Sequence, residues 1–270
     1  DYIYAIDAAD AIGINPSRLY RYDLNGQMDV AFATPDMKYV PTRIKTCVDG
    51  KFYALTGLMY GPWDTDNDPQ TPDVQSPEYR IERYLPSGLK DGTFNRTVIR
   101  TTGGKAPWAV IDIAPIVSAN KAPEGFYVYL KPPAVTDSTG DCPVINGVSM
   151  IPGNEPSYGF LPLIKISQFG LIDTNFNVKQ PYLHGSALYN PTAGSVNAGT
   201  PALVSFADSV VYVSPVENPL TNYRGFAPIH VSALGVVTTY AGQEYLDAPR
   251  WDSFRAIYDA GPKGFVFLGE

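Results

Sequence analysis

One stretch of this sequence occurs several times, and that repetition restricts the fold more than any other feature. Residues 80–94 (RIERYLPSGLKDGTF) repeat the pattern of residues 18–32 (RLYRYDLNGQMDVAF). A third copy occupies residues 163–176, and a fainter fourth occupies residues 229–240. Self-similarity at a long period is typical of architectures in which small units stack on one another. The residues that recur in register are Arg18/Arg80, Arg21/Arg83, Tyr22/Tyr84, Gly26/Gly88/Gly170/Gly235, Asp29/Asp91/Asp173 and Phe32/Phe94/Phe176.

Each repeat is predicted to contain four strands, which we call a to d. Strand a is the Arg-rich segment before the recurring glycine, and strand b is the short segment that carries the recurring Asp and Phe. An aromatic, alternating segment recurs as strand d at residues 1–8, 51–57, 125–130, 210–214 and 264–269, and a β-rich run before each of the last four is strand c. The glycine between a and b supplies the positive φ that tight hairpin turns require.

A single four-stranded antiparallel sheet leaves its faces uncovered, whereas sheets arranged about an axis cover one another. We therefore expect an all-β fold: a β-propeller of four-stranded antiparallel blades with about four repeats, alone or as part of a larger propeller. The whole chain, residues 1–270, is predicted to be one propeller domain with repeats at residues 9–57, 58–130, 131–214 and 215–269. Strand 1–8 would then belong to an adjoining or closing blade.

The same residues resemble a known pattern. An Arg-rich strand, the recurring Gly, Asp and Phe, and then Asp49-Gly50-Lys51 before an aromatic strand are similar to the delta-60 repeat of bacterial and phage proteins. The resemblance covers most of the chain and weakens towards the fourth repeat. It implies a propeller-like scaffold, and it brings no catalytic residues with it.

Composition excludes several functional classes. The net charge of −7, without a basic run, disfavours nucleic-acid binding, which needs a Lys/Arg surface to displace counterions. No apolar run approaches the ~18–20 residues that cross a bilayer, so membrane insertion is not expected. Cys47 and Cys142 are far apart and lack a CxxC spacing, so they are interpreted as buried small side chains, with a disulfide left open.

The lengths of the connections suggest one binding face. Because strands alternate in direction, a–b and c–d turns leave one end of the sheets, and b–c and d–a connections leave the other. Most of the excess length lies in the second group: 58–79, 95–107, 131–161, 177–201 and 241–251. Long loops on a rigid scaffold are where binding surfaces are usually built. We therefore predict a decorated end and a plain end.

Aromatic and polar residues in these long connections are the candidate binding residues, because Tyr and Trp are favoured contact residues. A calcium loop at Asp64, Asp66 and Asp68 is the less favoured alternative, since Pro69 and Gln75 stand where an EF-hand requires Gly and Glu. We predict no metal and no cofactor. The candidate binding residues are Tyr60, Trp63, Asp64, Tyr158, Tyr182, His184 and Tyr189.

The residues that define the repeat are given structural roles. A recurrent Asp after the a–b turn is predicted to accept hydrogen bonds from backbone N–H groups, and the recurrent Phe to pack between sheets. The recurrent Arg is predicted to pair with carboxylates or to cover neighbouring strands. Active sites break repeat symmetry, whereas these residues create it.

No sequence motif for catalysis is present, and only His184 and His230 could serve a His-based site. The sequence therefore favours a non-catalytic structural or attachment module of a bacteriophage virion, in a tail or fibre, that contacts other virion or surface proteins or a host glycan. Two alternatives stay open: an extracellular adhesion protein of the bacterial surface, and a propeller glycoside hydrolase that uses paired loop carboxylates.

Overall fold

A computed structural model describes residues 2–7, 17–37, 40–56, 59–63, 74–101, 109–117, 123–131, 143–146, 148–149, 163–176, 188–189, 201–206, 208–218, 223–238, 254–260 and 265–269. All regular structure in these residues is β, as the abundance of Tyr, Gly and Pro predicts. Every strand pairing is antiparallel.

Twenty strands follow one another along the described chain. They are β1 (Ile3–Asp7), β2 (Ser17–Tyr22), β3 (Asp36–Met37), β4 (Pro41–Thr46), β5 (Phe52–Thr56), β6 (Met59–Trp63), β7 (Val74–Tyr84), β8 (Thr97–Thr101), β9 (Ala109–Val117), β10 (Pro123–Lys131), β11 (Pro143–Ile145), β12 (Val148–Ser149), β13 (Leu163–Ser167), β14 (Leu188–Tyr189), β15 (Leu203–Ser205), β16 (Ser209–Asn218), β17 (Tyr223–Ser232), β18 (Val237–Thr238), β19 (Phe254–Asp259) and β20 (Phe265–Gly269).

These strands form five small sheets, which we number in chain order. Sheet one contains β1–β2–β3, and sheet two has the order β12–β11–β8–β7–β5–β4, with β6 also paired to β7. Sheet three is β13–β10–β9, sheet four contains β14 to β18, and sheet five is the pair β19–β20. The predicted a, c and d strands are confirmed, but a sheet does not coincide with a repeat. Strand c pairs with strand d of its own repeat, and strand d pairs with strand a of the next repeat, so that β4, β5 and β7 lie side by side in that order.

Successive sheets cover one another because the middle sheets are apolar on both faces. In β5, Phe52 and Ala54 face sheet one, whereas Tyr53 and Leu55 face sheet three. Three buried clusters result, one between each pair of neighbouring sheets from one to four, and Ile257 of sheet five joins the last. The period-2 alternation of a strand explains how one short segment supplies two cores.

The recurring phenylalanines pack at these interfaces, as predicted. Phe32 contacts Tyr4 and Phe52, so it joins sheet one to sheet two. Phe94 makes the equivalent contacts with Tyr53 and Phe126 between sheets two and three.

The recurring charges join the sheets as well. Arg83 Nε donates to Asp91 Oδ2 at 2.9 Å, and its Nη1 donates to the carbonyl of Gln168 in the next a–b turn. Asp91 Oδ1 in turn accepts from the backbone N–H of Thr93 at 2.9 Å. The predicted roles of Arg and Asp are confirmed here. Arg21 repeats the arrangement, pairing with Asp29 and donating to the carbonyl of Pro86.

Parts of two long connections form strands, which corrects the interpretation of those parts as loops. Within the connection 58–79, β6 pairs with the first half of β7, because Met59 pairs with Glu78 and Trp63 with Val74. The connection 131–161 contributes β11 and β12, which extend the outer edge of sheet two by pairing with β8. Backbone N–H and C=O groups need hydrogen-bond partners, and a connecting segment can supply them by continuing the strand pairing of its own sheet or by pairing with a strand of a neighbouring sheet.

Candidate functional site

The structure places three of the seven predicted binding residues on strands. Tyr60 and Trp63 lie on β6, opposite Pro77 and Val74 of β7. Tyr189 lies on β14, opposite Val216 of β16. Strand β6 thus extends sheet two, and β14 extends sheet four, at the end of the sheets from which the d–a connections leave; we call β6 and β14 the extensions. Sheet three lies between these two sheets in the stack. Asp64, Tyr158, Tyr182 and His184 lie outside the described residues, as do Asp66 and Asp68.

A charged cluster that the sequence analysis did not single out lies on the c strands. Asp112 of β9 has no exposed surface, and Arg43 and Lys45 of β4 point towards it from the neighbouring sheet. Strand β9 contacts both β4 and β15, so the c strands of sheets two, three and four run next to one another. The cluster is therefore built by three successive repeats.

A β-bulge precedes two of these charges. The ladder between β4 and β5 shifts register between Pro41 and Arg43. The ladder between β9 and β10 shifts in the same way between Val110, which pairs with Leu130, and Asp112, which pairs with Tyr129. A bulge adds one residue to one strand and redirects the side chains that follow it. Arg43 and Asp112 are thus equivalent positions of two repeats, each the first paired residue after a bulge.

The carboxylate of Asp112 is held mainly by backbone groups. Its Oδ2 accepts from the N–H of Ala202 at 3.0 Å, and its Oδ1 accepts from the N–H of Ile113 at 2.9 Å. Lys45 Nζ stands farther away, 3.3 Å from Oδ1 and 3.4 Å from Oδ2. Burial raises the pKa of Asp112, and the opposing effect of Lys45 and Arg43 does not cancel it.

The two cations around Asp112 have more donors than the carboxylate uses. Arg43 Nε lies 3.7 Å from Asp112 Oδ1, beyond hydrogen-bond distance, and is buried with no hydrogen-bond partner among the described residues. The side chains of Arg43 and Lys45 are 23% and 26% exposed, so neither side chain is fully buried as Asp112 is. The cluster carries one excess positive charge with spare N–H groups.

A second buried carboxylate lies in sheet two. Glu78 of β7 has no exposed surface, and it accepts hydrogen bonds from Arg80 on the same strand and from Arg100 on β8, the latter at 2.6 Å. Glu78 and Arg100 are cross-strand partners. This cluster fixes the base of the extension that carries Tyr60 and Trp63.

The opposite end of the sheets exposes apolar side chains. The a–b turns of sheets one to three are joined there, since Ala33 N–H donates to Ser87 and Asn95 N–H donates to Phe169. We call the exposed apolar residues at this end the turn rim. This end was expected to be plain in the sense that its turns are short, and the turn rim adds exposed apolar side chains to those short turns. The turn rim consists of Leu24, Met28, Val30, Val48, Leu89, Phe169, Leu171, Leu234 and Val236.

A usable signal for the Asp112 cluster was present in the sequence. Asp112 interrupts the apolar run 109–117 (AVIDIAPIV), and a charge inside such a run is rarely buried without a partner. Arg43 and Lys45 alternate with Ile44 in strand c of the previous repeat, but only the stacking of the sheets brings them to Asp112.

The described residues contain no group of three or more His, Cys, Asp or Glu side chains arranged to hold a metal ion. They also include no helix long and apolar enough to cross a membrane. Comparisons of the chain with protein-family models, with curated proteins and with solved structures found no match.

Proposed function

We propose that this chain is a non-catalytic structural and attachment module with propeller-type stacking of its sheets, most consistent with a tail or fibre protein of a bacteriophage virion. The supporting observation is how its side chains are used. The recurring charged side chains form hydrogen bonds within the protein that join neighbouring sheets. The extensions lie at one end of the sheets, and the turn rim is exposed at the other end.

Propeller-type stacking is supported by the two-faced middle sheets and the neighbouring c strands. Buried apolar faces on both sides of sheets two and three require a sheet before and a sheet after each of them. The c strands β4, β9, β15 and β19 contact each other in sequence, as strands near a common axis would.

The two ends suggest a division of roles. The turn rim has the apolar character of surfaces that pack against another protein, which suits a neighbouring subunit in an assembly. The extensions carry Tyr60, Trp63 and Tyr189, residue types favoured at contacts with proteins and sugars. In this proposal the turn rim contacts the assembly, and the extensions contact the target on a host surface.

The hydrolase alternative receives less support from the buried carboxylates. Glu78 and Asp112 are each surrounded by two cationic side chains and have no exposed surface. A glycosidase instead needs two carboxyl groups that flank a sugar in an open cleft.

The proposal is tested by presenting the full chain to an array of bacterial surface polysaccharides and intact cells. We expect saturable binding that Trp63→Ala and Tyr60→Ala abolish and that Leu234→Ser, on the turn rim, leaves unchanged. Release of reducing ends from a bound glycan, lost in one Asp→Asn variant, would instead establish an enzyme.

A further inference from the structure

We propose that Arg43 and Lys45, set against the buried carboxylate of Asp112, form a binding site for a carboxylate group of a ligand. The inference goes beyond the proposed attachment role and does not depend on it, since the site lies on the c strands rather than on the extensions. It rests on three observations: the unused donors of Arg43, the charge of the cluster and its place in the repeat.

The unused donors come first. A guanidinium has five N–H donors in a fixed fork, and buried donors in native structures are almost always hydrogen-bonded. The Nε of Arg43 is buried without a partner in the described part of the chain, at 3.7 Å from Asp112 Oδ1. The carboxylate of Asp112 instead accepts from two backbone N–H groups and from Lys45 Nζ. A missing acceptor beside Arg43 is what the geometry points to.

The charge of the cluster indicates which acceptor fits. Arg43 and Lys45 carry two positive charges, and Asp112 carries one negative charge when ionised. A single carboxylate on the ligand neutralises the excess, whereas a doubly charged phosphate or sulfate would leave a net negative charge beside Asp112. Planar carboxylates also match the fork of a guanidinium, which binds them through two parallel hydrogen bonds.

The place in the repeat separates this cluster from the structural charges. Arg21–Asp29 and Arg83–Asp91 are copies of one arrangement and join neighbouring sheets. Arg43 and Asp112 occupy equivalent positions after a bulge, yet one is cationic and the other anionic, and Ala256 follows the corresponding bulge in sheet five. A position that differs between repeats is where a repeat scaffold acquires a site of its own.

Access is available from one side. Arg43 pairs with Leu55 near the end of β5 that precedes β6, so the cluster lies towards the end of sheet two that carries the β6 extension. About a quarter of each cationic side chain is exposed, whereas Asp112 has no exposed surface, so a ligand would meet the two cations before the carboxylate.

Isothermal titration of the full chain at constant ionic strength, with chloride as the background anion, tests the proposal. The probes are glucuronate and a blocked glutamate, with the glucuronate methyl ester, a blocked glutamine and sulfate as controls. We expect saturable binding of at least one carboxylate with a stoichiometry of one, and no binding of the neutral controls. The tighter of the two probes identifies a sugar acid or an acidic side chain as the source.

Variants locate the site. Arg43→Gln is expected to weaken binding at least about tenfold, since a charge-assisted hydrogen bond is worth roughly that factor or more. Lys90→Gln, a substitution of an exposed lysine on sheet two, should leave affinity within about twofold, because Lys90 pairs with Glu82 at the surface and not with the Asp112 cluster in the described part of the chain.

Arg43→Lys keeps the positive charge and is expected to keep the fold, so it controls for unfolding; it should still weaken binding, because an ammonium lacks the fork. The proposal is overturned if neither carboxylate saturates, if sulfate binds as tightly as both, or if affinity survives Arg43→Gln in a folded variant.

Discussion

The buried ion pair between Arg83 and Asp91 is expected to be worth much more than its copy in the first repeat. Arg83 and Asp91 are 4% and 3% exposed, and Arg83 also donates to Thr93 and to the carbonyl of Gln168 on the next sheet. Asp91→Asn keeps the shape and the acceptor for Thr93 N–H but leaves the guanidinium buried beside a neutral group. Removing one partner of a buried pair typically costs about 3–5 kcal/mol. Because Asn retains part of the hydrogen bonding and the second cation that faces Asp91, Lys51 at 3.3 Å, is 26% exposed and can be solvated, we expect the lower end, about 3 kcal/mol.

The matched control is Asp29→Asn, which breaks the same Nε–Oδ2 bond of 2.9 Å in the first repeat. The side chains of Arg21 and Asp29 are more exposed, at 10% and 20%, so water screens the charges and replaces lost hydrogen bonds. Urea unfolding followed by far-UV circular dichroism should therefore show a clearly larger decrease in the midpoint for Asp91→Asn than for Asp29→Asn. Equal decreases, or a larger one for Asp29→Asn, would show that burial does not determine the strength of this repeated pair.

Three further predictions concern single positions. Burial alone would raise the pKa of Asp91, but hydrogen bonds from Thr93 and the charge of Arg83 outweigh it and lower the pKa to about 2. The stability contributed by ionised Asp91 is therefore fully present above the unfolded pKa of about 3.9, and it is lost as the pH falls from there through 2. In this pH window the free energy of unfolding should fall less steeply for Asp91→Asn than for the wild type. Equal slopes would contradict the pairing. Thermal unfolding should show a much larger loss of stability for Gly170→Ala than for Gly26→Ala. Both glycines have positive φ, but only at Gly170 would a Cβ clash, 2.0 Å from the carbonyl oxygen of Asn95; at Gly26 no atom lies within 4 Å. The Gly26→Ala cost should be about 1–2 kcal/mol, and similar costs at both positions would refute the close approach. Burial raises the pKa of the Cys47 thiol to about 12, so iodoacetamide at pH 8 should modify it far more slowly in the native chain than in urea, with mass spectrometry of the Cys47 peptide as the measurement.

The repeated segments carried most of the information on secondary structure. The recurring Gly with φ of 79° to 87° at Gly26, Gly88, Gly170 and Gly235 was predicted because only a tight turn explains glycine there in every copy. The alternation of aromatic residues in strand d predicted that residues 51–57 contain a strand, which is β5, but not that β5 packs on both of its faces. Local sequence was sufficient for these features because each depends on residues close together in the chain and recurs in the repeated segments.

The assignment of strands to sheets was not available from the repeat alone. A repeat can be divided at any of its four strands, and only the observed register, Phe52 with Tyr84 and Phe126 with Ile166, shows that strand d pairs with the following strand a. The same limit applies to 131–161, whose strand β11 pairs with β8 and so joins sheet two, although it lies in the chain between β10 and β13 of sheet three. Pairings between distant segments leave little local trace, because either edge of a short strand can accept a partner.

The sequence by itself determined that the chain is all-β, where its turns lie, and that the recurring Arg, Asp and Phe hold the repeats together. Only the tertiary structure decided which charges lie outside that pattern. Arg43, Lys45 and Asp112 come from two strands that are distant in sequence, and the cluster exists because sheets two and three stack with their c strands adjacent. The physical reason is that a repeated contact is recorded in every copy of the repeat, whereas a contact made once between two sheets is recorded nowhere but in their packing.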